Sequence, residues 1–367
     1  MVRILLTSDL HLSENRGFPI RQSERLNTLK KIINLAQTHD LLLIAGDLFG
    51  VTNPEEELVS EVASLFGILR KKEIHVAITP GENENAGGKI PGFMFALNAE
   101  RVFGEKDLFP FVFDKDGQKI FIYGLPPATE ENLAEIEKIP EEGFHVGLFH
   151  TKIEDSESTN DRLKIEDLKS RKLDFYALGH NHNFKLYKYM DTIVGAYPGS
   201  PEGTSAEETG DRYVLSLTVE NNELTQIKRL TINTITIATQ EISCEDTGLD
   251  SFFEIISGMQ DEKVCAIVTL RGRRPYLIPD DRLTEVRKKF YDLVLIDNSN
   301  LSLGTLAEEY AQEKSLRGDF YRQIKKSIHD GSIPSDIDLN KLADLLSLLS
   351  KDGSVNGEES LCALLNA

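Results

Sequence analysis

The chain has 367 residues, 40% hydrophobic and 28% charged, with a formal net charge of −19. That length exceeds one compact core of ordinary size and predicts two or three domains. The acidity argues against a free-standing, high-affinity nucleic-acid binder, because phosphate contacts need Lys and Arg; it leaves room for a nucleic-acid enzyme whose metals, basic patches or partner subunit supply positive charge.

In chain order, Val2 to Thr7 is a short apolar run, read as a buried strand that ends at Ser8-Asp9-Leu10-His11. The N-terminus turns polar too soon for a signal peptide, and no apolar run approaches the roughly 18–20 residues that span a bilayer, so the expectation is a cytoplasmic protein without a membrane anchor. Residues 21–38 carry a helical pattern through Leu26, Leu29, Ile32, Ile33 and Leu35. Leu41–Ala45 is the next strand, stopping at Gly46-Asp47; a helix over 56–71 follows, then a strand over 74–78 that runs into Pro80-Gly81-Glu82-Asn83-Glu84. This strand–helix–strand alternation is the pattern of a parallel sheet covered by helices.

Phe111–Phe113 and Lys119–Tyr123 flank Asp114-Lys115-Asp116-Gly117 as a hairpin. A helix is predicted over 128–138, a strand over 144–149 ending at His150, and a helix near 163–171 before a strand over 174–178 that leads into Gly179-His180-Asn181-His182. Phe184–Tyr189, Thr192–Tyr197, Tyr213–Val219 and Leu224–Leu230 read as one antiparallel run. Near 231 the character changes. The alternation at 232–242 is a half-buried strand; a helix (248–258), strand (263–270), helix (280–290) and strand (292–297) complete a small α+β domain. Beyond 304 the chain reads as helical to about 330, and Leu339, Leu342, Leu345, Leu346 and Leu349 form a stripe on a further helix. Domain boundaries are expected at 1–230, 231–300 and 301–367. Cys244, Cys265 and Cys362 are too widely spaced for a zinc site or disulfide framework.

Ligands of open α/β sheets bind outside the carboxyl ends of the strands. Asp9, His11, Asp47, His150, His180 and His182 all follow apolar strands at once, as does the Glu82 segment. The other histidines, His39, His75, His145 and His329, do not fit and are read as surface or packed residues. Mixed imidazole and carboxylate donors suit Mn, Fe or Zn. They are too many for one tetrahedral zinc, so two ions are expected, with a carboxylate such as Asp47 between them and a water acidified by both as nucleophile.

With its Asp9-x-His11, Gly46-Asp47, Gly81-Glu82-Asn83-Glu84, His150 and Gly179-His180-Asn181-His182, the sequence resembles the calcineurin-type metallophosphoesterases. Thr7–Leu12, Ala45–Phe49, Ala177–His182 and Tyr197-Pro198-Gly199-Ser200 are similar to the SbcD-type DNA repair exonucleases. The resemblance covers about residues 1–220; beyond 231 it rests on architecture alone. It implies a sandwich of two mixed β-sheets flanked by helices, a small capping domain, and C-terminal helices that dock on a coiled-coil ATPase of SbcC type. It implies Asp9, His11, Asp47 and His182 around one divalent ion, most simply Mn, and Asp47, Glu82, His150 and His180 around the other, in a DNA phosphodiesterase that is often a two-fold dimer. Arg271, Arg273 and Arg274, with Arg287, Lys288 and Lys289, are the DNA-backbone contacts expected on the small domain.

Three positions depart from the family. Glu82 stands where an Asn ligand is usual. Asn83 stands where a His assists the leaving group, and an amide cannot donate a proton as a general acid, a role worth about 10²–10⁴-fold in rate. Gly50 stands where related nucleases often carry a polar side chain. Two alternatives therefore accompany the nuclease expectation: a scaffold subunit with a degenerate site, and a small-molecule phosphodiesterase.

Overall fold

A computed structural model describes the chain except for residues 14–19, 86–88, 105–106, 108, 126–132, 134–135, 154–167, 169, 171, 333–337 and 344–367. It divides into two compact units, Met1–Thr236 and Ile237–Ala367. Most residues of the helices predicted over 163–171 and 128–138 lie outside the described residues, as do Leu345, Leu346, Leu349 and Cys362.

In the first unit, strands β1 (Val2–Thr7), β2 (Leu41–Ala45), β3 (His75–Thr79) and β4 (Arg101–Val102) run parallel. Beside β1 lie the antiparallel strands β11 (Tyr213–Glu220) and β12 (Glu223–Thr231), giving the order β12-β11-β1-β2-β3-β4. A second sheet has the order β5-β6-β7-β8-β10-β9. Its β6 (Gln118–Leu125), β7 (Phe144–His150), β8 (Phe175–Gly179) and β10 (Thr192–Tyr197) are parallel, while β5 (Phe111–Lys115) and β9 (Lys185–Tyr189) pair antiparallel at the edges.

The period of two along each strand explains how the layers stack. Val2, Ile4, Leu6, Leu41, Leu43 and Ala45 point to one face and pack with Ile120, Ile122, Val146, Leu148, Phe175 and Ala177 of the second sheet. Leu5, Leu42 and Ile44 point the other way, onto helices α1 (Gln22–Ala36) and α2 (Glu56–Arg70). Phe121, Tyr123, Phe149, Tyr176 and Leu178 form a third apolar layer with Leu133, Ile136 and Leu168. Two mixed sheets thus share a buried interface, with α1 and α2 covering the outer face of the first. Each fully buried Leu or Ile here contributes about 1.5–3 kcal/mol relative to exposure.

The strands expected as one antiparallel run divide between the sheets. The β9–β10 hairpin belongs to the second, where β10 also pairs parallel with β8, and the β11–β12 hairpin belongs to the first. Alternation within a strand reports which faces are buried and is silent about which neighbour supplies the ladder. The crossing falls at residues 198–212, a segment that returns in the site below.

In the second unit, β13 (Thr236–Ser243), β14 (Val264–Arg274) and β15 (Asp292–Leu301) form a three-stranded sheet, with β14 and β15 parallel. Helices α3 (Leu249–Ser257) and α4 (Asp280–Arg287) lay Phe252, Phe253, Ile256, Leu283 and Val286 against it. The stretch expected to be helical from 304 to about 330 forms two helices, α5 (Leu303–Tyr310) and α6 (Leu316–His329). Ser302 and Ser315 cap their starts, accepting from the backbone N–H of Thr305 at 3.2 Å and Gly318 at 3.1 Å. Among the described residues no helix is long and apolar enough to cross a membrane.

Candidate metal centre

The carboxyl ends of the parallel strands of both sheets open on one rim. The loops after β1 and β2 run side by side: backbone N–H groups of Asp9, His11, Leu12 and Ser13 donate to the carbonyls of Gly46, Asp47, Leu48 and Phe49 at 2.9–3.0 Å. In the second sheet, Thr151 N–H donates to Gly179 O at 3.1 Å, and Ser200 N–H to His182 O at 3.0 Å. The His180 N–H crosses between the sheets to the Asp9 carboxylate, 3.1 Å from Oδ1. These bonds hold the site residues in backbone conformations that L side chains rarely adopt: φ is +53° at Asp9, +48° at His11, +49° at Asp47 and +99° at His180. Such residues cost on the order of 1–3 kcal/mol each and persist only where their surroundings impose them.

Donor atoms of Asp9, His11 and His182 lie within 4.8 Å of one another, and so do those of Asp9, Asp47 and His150. Asp47 Oδ2 stands between the groups, 3.8 Å from His11 Nε2 and 3.7 Å from His150 Nε2. His11 Nε2 and His182 Nε2 are 3.2 Å apart. The His150 and His180 rings meet edge to face at 5.4 Å, and His180 Nδ1 is 3.7 Å from Glu82 Oε1. Asp9, His11, Asp47 and His150 are buried, whereas the Glu82 side chain is 60% exposed and reaches the cluster only through His180. Asn83 Nδ2 lies 3.5 Å from Asp47 Oδ2.

The donor set fits a metal. His150 Nδ1–H donates to Ala45 O at 2.9 Å, which leaves Nε2 as a lone pair. That Nε2 and Asp47 Oδ1 are buried and find no hydrogen-bond partner among the described residues, as expected of atoms that ligate a cation. Charge tells the same story: burial disfavours protonation of His150, yet the carboxylates of Asp9 and Asp47 outweigh it and raise its pKa. For His180, burial and the neighbouring His150 lower it. Glu84, buried beneath the loop, accepts from Phe49 N–H at 2.5 Å and Gly81 N–H at 3.1 Å; burial and the charge of Asp47 push its carboxyl up to about 7. Glu84 is thus a brace between the β2 and β3 loops, and it is committed in a way that leaves residues 82 and 83 to face the cluster.

Glycine is required where the loops close. A Cβ on Gly81 would lie 2.0 Å from Asp47 Oδ1, and one on Gly46 2.1 Å from His150 Nδ1. Gly50 has φ +74° and presses on His11, whose Nδ1 would be 2.6 Å from an added Cβ. The ring of His11 fills the space a polar side chain at 50 would need.

Sequence reasoning missed Glu208 and Arg212. Both are buried. Glu208 Oε1 accepts from His182 Nδ1–H at 2.8 Å, and Arg212 donates through Nε to Ser200 O at 3.0 Å and through Nη2 to His182 O. Their only sequence signal was an acid and a base four residues apart in the Gly-containing loop after Tyr197-Pro198-Gly199-Ser200. In the second unit Arg271 is exposed and paired with Glu241 at 2.9 Å. Arg274 departs from the expectation of a surface cation. It is buried, and its guanidinium binds Ser299 Oγ at 3.1 Å, Tyr276 O at 3.0 Å and Asp297 Oδ2 at 2.8 Å; three internal partners leave it nothing to offer a phosphate.

This fold and this cluster define a metallophosphoesterase: the family model described as calcineurin-like phosphoesterase matches residues 2–184, and the first unit belongs to that family. Among curated relatives, a protein of Bacillus subtilis described as the uncharacterized metallophosphoesterase YhaO is 23% identical over 93% of this chain and 86% of its own length. The DNA double-strand break repair protein Mre11 of Methanocaldococcus jannaschii is 24% identical over 82% of this chain and 86% of its own. That of Sulfurisphaera tokodaii is 25% identical over 56% of this chain and 55% of its own.

Proposed function

We propose that the chain is a metal-dependent DNA phosphodiesterase, an SbcD-like nuclease subunit of DNA repair. The observation that carries this reading is the convergence, from two sheets, of Asp9, His11 and His182 and of Asp9, Asp47 and His150 into two adjoining donor groups, with His180 against His150 and Asp9. The kinship with proteins described as double-strand break repair Mre11 supports DNA as the substrate. Asp9, His11, Asp47 and His182 would hold one divalent ion in this reading, and Asp47, Glu82, His150 and His180 the other; Mn is the first choice, and Fe or Zn also suits the imidazole–carboxylate mixture. Such a pair, when bound, acidifies a water and stabilises the attacking and leaving oxygens of phosphoryl transfer. The protein's own part is to hold the donors in place at the cost of left-handed backbone. Arg271 and Arg273 contribute DNA-backbone contacts. The helices α5 and α6 with the segment beyond them dock on an SbcC-like coiled-coil ATPase in the cytoplasm.

Asn83 favours a second reading. Its amide can donate a hydrogen bond to a phosphate oxygen but no proton to a leaving group. A scaffold subunit that binds ions and turns over slowly is consistent with that substitution. The deciding experiment is Mn-dependent degradation of end-labelled duplex and single-stranded DNA, beside a chromogenic phosphodiester, by wild type, Asp47→Ala and Asn83→His. Cleavage of DNA lost in Asp47→Ala is the expected result. Activity that appears only in Asn83→His identifies the scaffold, and cleavage confined to the chromogenic ester refutes DNA as substrate.

A further inference from the structure

A histidine that ligates through one ring nitrogen is commonly oriented by a hydrogen-bond partner at the other. For His150 this is a neutral backbone carbonyl, Ala45 O. For His182 it is an ionisable side chain from a segment 26 residues further on. Glu208 is 4% exposed and its two oxygens are used differently. Oε2 is locked by the scaffold: it accepts from Ser200 Oγ at 2.5 Å and Thr204 N–H at 3.0 Å, and it stands 3.6 Å from the Arg212 guanidinium. Oε1, so aimed, meets His182 Nδ1 at 2.8 Å, supported by the hydroxyls of Thr204 at 2.7 Å and Ser205 at 3.3 Å. Thr204 Oγ1 is itself 3.2 Å from the same ring nitrogen. Arg212 completes the assembly from the other side. Nη2 reaches His182 O and, at 2.8 Å, Ser200 Oγ, and Nη1 reaches Asn183 Oδ1 at 3.2 Å. One buried ion pair therefore holds both the ring and the backbone of His182.

We propose that Glu208 is the positioning residue of His182: it keeps the imidazole as the Nδ1–H tautomer, with Nε2 turned toward Asp9 and His11, and thereby sets the metal affinity of the Asp9–His11–His182 group. The proposal rests on the two-ion reading above. A carboxylate behind a ligating histidine fixes its tautomer and makes the ligating nitrogen more basic than a carbonyl does, and losing such a partner typically costs about 10–100-fold in metal affinity. The two histidines thereby present unequal donors, His182 backed by a charge and His150 by a dipole.

The test is a Mn²⁺ titration of the metal-stripped full chain by calorimetry, with wild type, Glu208→Ala, Glu208→Gln, His182→Ala and the double variant Glu208→Ala/His182→Ala. The expected result is two ions in wild type, and a loss of about 10–100-fold in affinity for one of them in Glu208→Ala. Glu208→Gln retains an acceptor oxygen and recovers part of the loss. Because Glu208 acts through His182, removing it adds nothing on the His182→Ala background; an equal loss on both backgrounds would mean a merely structural carboxylate and overturns the proposal. Nitrogen-15 NMR of the metal-stripped protein gives an independent readout, with the His182 proton on Nδ1 in wild type and distributed over both nitrogens in Glu208→Ala. A tautomer indifferent to residue 208 also overturns it. A wild type that binds no Mn²⁺ refutes the two-ion reading and this proposal together, whereas two ions bound with affinities indifferent to Glu208 refute this proposal alone.

Discussion

A Cβ placed on Gly179 would lie 1.7 Å from the carbonyl oxygen of Ala45. No rotamer relieves such a contact, because the Cβ is fixed by the backbone and Ala45 ends a central buried strand. Gly179→Ala is therefore expected to destabilise the protein by about 1–3 kcal/mol, the usual cost of overpacking, and to displace His180 and His182 from the cluster. Gly92→Ala, where an added Cβ meets nothing within 4 Å, should leave both properties unchanged. Thermal melting with parallel Mn binding checks the pair, and an unperturbed Gly179→Ala would mean that the sheets can part at this point. The residue scale also shows what a sequence exposes and what it hides. Asp9, His11, Asp47, His150, His180 and His182 were legible because each follows an apolar run, so position along the chain predicted position on the rim. Glu208 and Arg212 were not, because a buried ion pair in a loop has the local composition of a solvated one. The exposure of Glu82 and the internal commitment of Arg274 were hidden for the same reason: residue type does not report how many partners are within reach.

At the scale of elements, strand β7 carries a histidine at each end. His150 faces the rim, and His145 is packed at the other end with its ring stacked on Phe121 at 4.5 Å. Nε2–H of His145 donates to Glu141 O at 3.0 Å, so Nδ1 is left to accept from Tyr123 OH at 2.9 Å. Both nitrogens are satisfied in the neutral ring, and burial lowers the pKa below the ordinary value. The unfolded chain then binds a proton below about pH 6.5 that the folded chain refuses, so stability falls as pH drops through that range and is regained as pH rises. Denaturant unfolding of metal-stripped protein should show this slope, and His145→Gln should flatten it. A slope unchanged in the variant would assign the effect to another group. Elements with a strict period were read correctly from sequence: β1, β2, β3 and the helices between them fall within two residues of their expected bounds. The sheet assignment of β9 to β12 failed because pairing partners leave no trace in alternation; the helical character of the stretch from 304 was legible, while the break between α5 and α6 is marked only by single serine caps inside a run of good helix formers.

For the first unit as a whole, the two sheets meet over an apolar interface that ends at a polar rim. Asp9, His11 and Asp47 extend from the first sheet, and His150, His180 and His182 from the second. An ion bound there adds a cross-link between layers that are otherwise held by apolar side chains such as Leu43 and Leu148 and by a few hydrogen bonds at the rim, those of His180 N–H to Asp9 and of His150 to Ala45 O among them. Saturation with Mn at about 100 times its dissociation constant is expected to add about 2.7 kcal/mol to unfolding. The gain in backbone hydrogen-exchange protection should concentrate at the rim ends of β2, β7 and β8. Equal melting temperatures with Mn and with chelator would show that the ions do not join the sheets. Where they do, occupancy and persistence become a single quantity. A molecule that has lost its metal is also one whose layers can part, so metal scarcity would thin the population of the protein as well as silence it, and proteolysis of the opened rim would report on metal supply.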